Sequence, residues 1–150
     1  MRKPLKLDAA KTNEVACGLR LHTHLLLTGN TPGFVAKYLN EKMLGEHLLE
    51  MVDLIGMQVW TPAQVAYSDR PGNTGFMGIV GITTSHIAFH HWDCAEPGVL
   101  QFDVFSCRQF DHVAVVDEIA RKWHCQLTQA HLLTRYPKIE MRDLLGEVCD

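Results

Sequence analysis

The densest run of groups able to do acid–base or nucleophilic chemistry is Thr83-Thr84-Ser85-His86-Ile87-Ala88-Phe89-His90-His91-Trp92. Imidazole exchanges protons near neutral pH, and a neighbouring hydroxyl is the nucleophile it most often activates. A strand beginning at Ser85 puts Ser85, Ile87 and Phe89 on one side and His86, Ala88 and His90 on the other. A bend at the start of that strand would still let Ser85 meet His90. Ser85 has no Gly-x-Ser-x-Gly elbow around it, so a hydrolase serine is not indicated.

Other clusters carry less. His22 and His24 share a strand face by period two, and His90, His91, Asp93 and Cys94 add donors that suit zinc. No metal-ligand spacing joins them, and the expectation is hydrogen-bonded structural histidines with no metal. Gly72-Asn73-Thr74-Gly75-Phe76-Met77-Gly78 has neither the Gly-x-Gly-x-x-Gly nor the Gly-Lys-Ser/Thr pattern of a phosphate loop. It reads as a turn leading into a glycine-containing strand. Cys17, Cys94, Cys107, Cys125 and Cys149 are odd in number and irregularly spaced, which points to reduced thiols in a cytoplasmic protein.

These groups need a frame. Leu19 to Leu27 alternates and then turns apolar, a strand ending at Thr28-Gly29-Asn30. Thr31-Pro32-Gly33 opens one long amphipathic helix to Gly56, with Phe34, Val35, Tyr38, Leu39, Met43, Leu44, Leu48, Met51, Val52 and Ile55 on its buried stripe. Met57 to Tyr67 is a strand broken near Thr61-Pro62. Strands follow over Gly75 to Thr83, His86 to Trp92 and Val99 to Cys107, the last with Leu100, Phe102 and Val104 alternating. Asp111 suits the N-cap of a second helix, whose apolar face takes Val113, Val116, Ile119, Ala120 and Trp123. Gln126 to Arg135 is the last strand. Residues 1–16 form a loose leader, and 136–150 a tail without a predicted element.

Two helices cannot cover both faces of a sheet this size. The expected architecture is therefore α+β, a two-layer sandwich with a mostly antiparallel sheet and both helices on one face. The bare face invites a partner, which a homodimer would supply. A length of 150 residues, 47% hydrophobic and 21% charged, fits one globular domain over 1–150. A net charge of −3 gives no basic surplus for nucleic acid. Arg2-Lys3-Pro4-Leu5-Lys6 has no apolar segment behind it, so it does not read as a signal peptide, and no run is long enough to cross a membrane.

Thr84-Ser85-His86-Ile87-Ala88-Phe89-His90-His91-Trp92, followed by Gln101-Phe102-Asp103-Val104-Phe105-Ser106-Cys107, resembles the signature of prokaryotic S-adenosylmethionine decarboxylases. That signature is Glu-Ser-His, three mostly apolar residues and His-Thr-Trp/Tyr-Pro-Glu, with Asp-Val/Leu-Phe-Thr-Cys-Gly on the next strand. The likeness extends over residues 17 to 135, most closely in the two central strands.

The resemblance implies a proenzyme that cuts itself between Thr84 and Ser85 and turns Ser85 into a pyruvoyl group, the only cofactor implied. It gives His90 the base role in the elimination that forms the group. Cys107 becomes the proton donor to the carbanion left when carbon dioxide departs. The pyruvoyl carbonyl would act through a Schiff base with the amine of S-adenosylmethionine. The product would feed spermidine synthesis, and a homodimer is implied.

Thr84 stands where the family has glutamate, His91 where it has threonine, Asp93 where it has proline and Arg108 where it has glycine. Met77 occupies the place of a hydroxyl residue that assists self-cleavage, while Thr74 lies near it only after a two-residue shift. Two alternatives accompany the resemblance. One is the same chemistry on a smaller amino acid such as ornithine or arginine; the other is an unprocessed homologue with a binding or regulatory role.

Overall fold

The structure is a computed structural model that describes residues 21–146. The leader and the last few residues of the tail lie outside the described residues. One seven-stranded sheet in the order β2-β3-β4-β5-β1-β6-β7 carries every strand, and every neighbouring pair is antiparallel. The strands are β1 (His22–Thr31), β2 (Val59–Ser68), β3 (Gly75–Ile82), β4 (Ser85–Trp92), β5 (Gly98–Ser106), β6 (Gln126–Tyr136) and β7 (Glu140–Asp143). The helices are α1 (Gly33–Tyr38), α2 (Glu41–Leu54) and α3 (His112–Lys122). The α+β sandwich expected from the sequence is the observed fold.

Three differences have physical causes. The expected single helix from Thr31 to Gly56 is two helices, because Asn40 is extended (φ −146°, ψ 168°) and its side chain accepts from the Met43 amide at 2.9 Å. A side chain that caps the backbone locally outcompetes continuation of the helix. The sheet thus bears three helices rather than two. β1 runs through Thr28-Gly29-Asn30 instead of stopping there, since β5 and β6 satisfy its backbone on both sides. Finally, β7 forms in the supposed tail by pairing His131–Thr134 of β6 with Glu140–Asp143.

The core lies between the sheet and the helices. Leu44, Leu48, Met51 and Val52 of α2 meet Val80, Ile87, Phe89 and Phe102 from the strands, all essentially solvent-free. Gly78 lets α2 sit close on β3, since a Cβ there would lie 2.8 Å from Leu48 Cδ1. On α3 the buried stripe is Val115, Ile119 and the C-cap Trp123, whereas Val113 of the expected face is 58% exposed. Asp111 is the N-cap, accepting from the Ala114 amide at 3.0 Å. The Gly72 segment is a turn into β3, with positive φ at Gly72 (76°) and Gly75 (147°).

The second face of the sheet has no helix over it among the described residues. Alternation places His24 and Leu26 of β1, Met77 and Ile79 of β3, His86, Ala88 and His90 of β4, and Gln101, Asp103 and Phe105 of β5 there.

Candidate active site

β4 begins at the Thr84–Ser85 bond, where the hairpin from β3 turns and Ser85 pairs with both Ile82 and Ser106. Ser85 has φ 149°, a backbone conformation that side-chain-bearing residues rarely adopt. Such a residue carries about 1–3 kcal/mol of strain. The carbonyl oxygen of Thr84 accepts a hydrogen bond from the Cys107 amide at 3.0 Å. The Thr84 hydroxyl accepts from Ser106 Oγ at 3.0 Å and donates to Met57 Sδ at 3.3 Å. Ser106 Oγ, fully buried, also accepts from the Arg108 amide at 3.0 Å. The end of β5 thus grips the segment on the N-terminal side of Ser85.

His90 is elsewhere. β4 pairs with β3 and β5 without a bulge from Ser85 to Trp92, so no bend brings His90 back to Ser85. Five residues of strand separate them, about 17 Å at the usual rise. Of the expected site residues, the structure joins Thr84, Ser85 and Cys107 and leaves His90 at the other end of the strand. There His90 stacks on Trp92, with centroids 5.5 Å apart and ring planes 12° from parallel. It lies opposite Met77 on β3 and Gln101 on β5. With Tyr67, Phe76, Met77 and Trp92 it lines a cleft of about 370 Å³. Met77 is therefore the β3 residue facing His90. Thr74 donates instead to Asp93, which also accepts from Tyr67 Oη at 3.1 Å.

Next to Ser85 lies a grouping that the sequence did not reveal. Ser85 Oγ is 3.3 Å from His86 Nδ1. His86 Nε2 is 3.3 Å from Asp103 Oδ2, and His24 Nε2 is 2.9 Å from the same oxygen. The rings of His24 and His86 both lean on Phe105, at 5.4 and 5.8 Å, and Arg135 caps that ring at 4.2 Å. His24 and Asp103 are about four-fifths buried, so the carboxylate is partly withdrawn from water. Among the described residues these three donors form the one grouping of metal-ligand composition, all within 4.8 Å of one another. Both Nε2 atoms are already directed at Asp103. His22, His90, His91, Asp93 and Cys94 do not join them.

His91 belongs to the core. It is fully buried, its Nε2 lies 2.8 Å from Thr31 Oγ1, and burial holds its pKa below the usual histidine value against the opposing pull of Asp93. His47 is buried too, edge-on to Trp123 at 5.1 Å. Burial and then Lys122 push its pKa down to about 4, against Glu118 and Glu50. Cys125 is a buried filler whose thiol is pushed up to about 11 by desolvation.

A β-strand end with a strained serine and a preceding carbonyl held by the Cys107 amide suits rearrangement of the chain's own backbone. A family model described as S-adenosylmethionine decarboxylase matches residues 29–136. No curated protein matches the chain.

Proposed function

The chain belongs to the S-adenosylmethionine decarboxylase family, and from that premise we propose that it is a cytoplasmic proenzyme that cuts its own Thr84–Ser85 bond. In this reading Ser85 becomes a pyruvoyl group, and the mature protein decarboxylates S-adenosylmethionine for spermidine synthesis. The observation that carries it is the hydrogen bond from the Cys107 amide to the Thr84 carbonyl. Attack by Ser85 Oγ on that carbonyl puts negative charge on the Thr84 oxygen, and a donor already aimed there stabilises it. The Thr84 C–N bond then breaks, leaving Thr84 esterified to Ser85 Oγ and the Ser85 nitrogen as a free amine. Loss of the Ser85 α-proton expels the Thr84 carboxylate, and hydrolysis releases ammonia. Relief of the strain at φ 149° favours the cut.

The pyruvoyl group supplies a carbonyl electron sink for the departing carbon dioxide. Cys107 Sγ, on the residue whose amide holds Thr84, carries the proton that is returned to the product carbon. His90 takes the α-proton during elimination. Since it lies about 17 Å from Ser85 along the same strand, we assign this role to His90 of a second copy. A two-fold axis lying parallel to the open sheet face, between the copies and perpendicular to β4 at its middle, exchanges the two ends of the strand. The same operation covers Met77 and Ile79, exposed on that face. The cleft of Tyr67, Phe76 and Trp92 beside His90 offers stacking surfaces for an adenine ring.

The competing substrate reading, a smaller amino acid such as ornithine or arginine, draws on His91, Asp93 and Arg108. His91 is occupied by Thr31 inside the core, and Asp93 by Tyr67 and Thr74. Intact-mass spectrometry of the denatured protein, beside a Ser85→Ala control, tests the processing step. Two fragments meeting at Thr84/Ser85, with a pyruvoyl mass on the second and none in the control, are expected. Release of carbon dioxide from S-adenosylmethionine, and not from ornithine or arginine, then fixes the substrate. A single uncut mass overturns the reading in favour of an unprocessed binding homologue.

A further inference from the structure

The geometry points to His86 as the general base that activates Ser85 for its attack on Thr84, with Asp103 and His24 as the positioning residues behind it. This rests on the self-cleaving reading above and adds to it the group that starts the cleavage. A serine hydroxyl is a weak nucleophile unless a base takes its proton as the bond forms. His86 Nδ1 is the ring nitrogen in contact with Ser85 Oγ, at 3.3 Å. Its other nitrogen faces Asp103 Oδ2 at 3.3 Å. A carboxylate there holds the ring proton on Nε2 and leaves the Nδ1 lone pair directed at Ser85. His24 anchors the same carboxylate oxygen at 2.9 Å, and Phe105 packs against both rings. Rotation of the His86 ring is thereby limited on three sides.

The proton balance closes within these groups. The Ser85 Oγ proton passes to His86 Nδ1 as Oγ bonds to the Thr84 carbonyl carbon, whose oxygen is held by the Cys107 amide. The proton then passes from Nδ1 to the Ser85 nitrogen as the C–N bond breaks, giving ester and amine with His86 unchanged. No water, metal or oxidant enters. The same arrangement explains how a chain with Met77 facing His90, in place of a hydroxyl, begins to process. His86 and His90 thus divide the work: His86 makes the ester within one chain, and His90 drives the later elimination.

The full-length chain, refolded from denaturant and followed by intact mass, separates these steps when each sample is split and half is treated with hydroxylamine. Hydroxylamine cuts an ester at Thr84/Ser85 and leaves an amide intact. His90→Ala is expected to accumulate ester and be cut by hydroxylamine. His86→Gln is expected to remain amide, uncut in either half, with cleavage slowed about 100-fold or more. Asp103→Asn is expected to slow ester formation less. It should also spread the His86 ring proton over both nitrogens, read from the ring nitrogen-15 shifts in a Ser85→Ala background. His86→Asn serves as a second variant, and circular dichroism confirms that each protein folds. A His86 variant that forms ester at the parent rate overturns this assignment and leaves the pyruvoyl reading standing. A parent chain that never cuts, with or without hydroxylamine, overturns both.

Discussion

The amide nitrogen of Cys107 donates to the carbonyl oxygen of Thr84 at 3.0 Å, bridging the end of β5 to the start of β4. In the proposed reaction one residue therefore has two separable functions. Its backbone N–H would act on the Thr84–Ser85 bond, and its thiol would be left for the decarboxylation that follows.

Replacing the side chain alone should split those functions. Cys107→Ala keeps the amide, so self-cleavage is expected at close to the parent rate, while decarboxylation falls by about 100-fold or more for want of a proton donor. Cys107→Pro removes the N–H, and cleavage itself is expected to slow by about 100-fold or more. Fragment yield by intact mass and carbon dioxide release, measured on the same samples, check the pair. Equal loss of cleavage in both variants would show that the thiol, and not the amide, serves the cut.

Met77 faces His90 across β3 and β4 and is 47% exposed on the open face. Within one chain a smaller polar residue there leaves no cavity in the core between sheet and helices. Met77→Ser places a hydroxyl beside the imidazole proposed to drive elimination, and pyruvoyl formation is expected to accelerate. The ratio of ester to pyruvoyl product over time is the measurement. An unchanged ratio would mean that the hydroxyl has no part in elimination in this chain.

Much of this frame was legible in the sequence. Leu100, Phe102 and Val104 alternate because β5 is buried on its helix side only, and Asp111 announced α3 because an acceptor three residues before a free amide is a local signal. The elements that escaped depend on distant partners. Asn40 reads in the sequence as one more polar residue on a helix face, and only its cap geometry marks the break, while β7 exists only because β6 offers an edge. The site divides in the same way. Ser85 and Cys107 lie in one recognisable motif, whereas His24, His86 and Asp103 meet only through the register of β4, β5 and β1. That register sets Ala88 and Leu26 on either side of Asp103. No spacing along a single strand encodes it.

Thiol reactivity should follow burial. Desolvation pushes the Cys125 thiol up to about 11, and the side chain is packed in the core. Native protein treated with iodoacetamide at neutral pH is expected to leave Cys125 unmodified while the exposed Cys94 is labelled. Peptide mapping after a short exposure reads the difference. Labelling of Cys125 at the rate of Cys94 would mean that the region under α3 opens readily.

The acid limb of stability should be set in part by His47. Its pKa is lowered to about 4 in the folded protein, chiefly by burial against Trp123, with Lys122 adding to the effect. In the unfolded chain it titrates near the ordinary value of about 6.5. Between those values the unfolded state binds the proton and the folded state does not, so protonation favours unfolding. Stability contributed by neutral His47 is fully present above about pH 6.5 and is lost progressively as the pH falls towards about 4, by at most about 3 kcal/mol. His91, lowered in the same direction by burial, adds to that loss. His47→Phe removes the titrating group while keeping an aromatic ring beside Trp123. Denaturant midpoints measured from pH 7 to pH 4.5 are expected to fall less steeply in the variant than in the parent. Part of the remaining slope belongs to His91. Parallel slopes in the two proteins would show that His47 is already protonated in the folded state over that range.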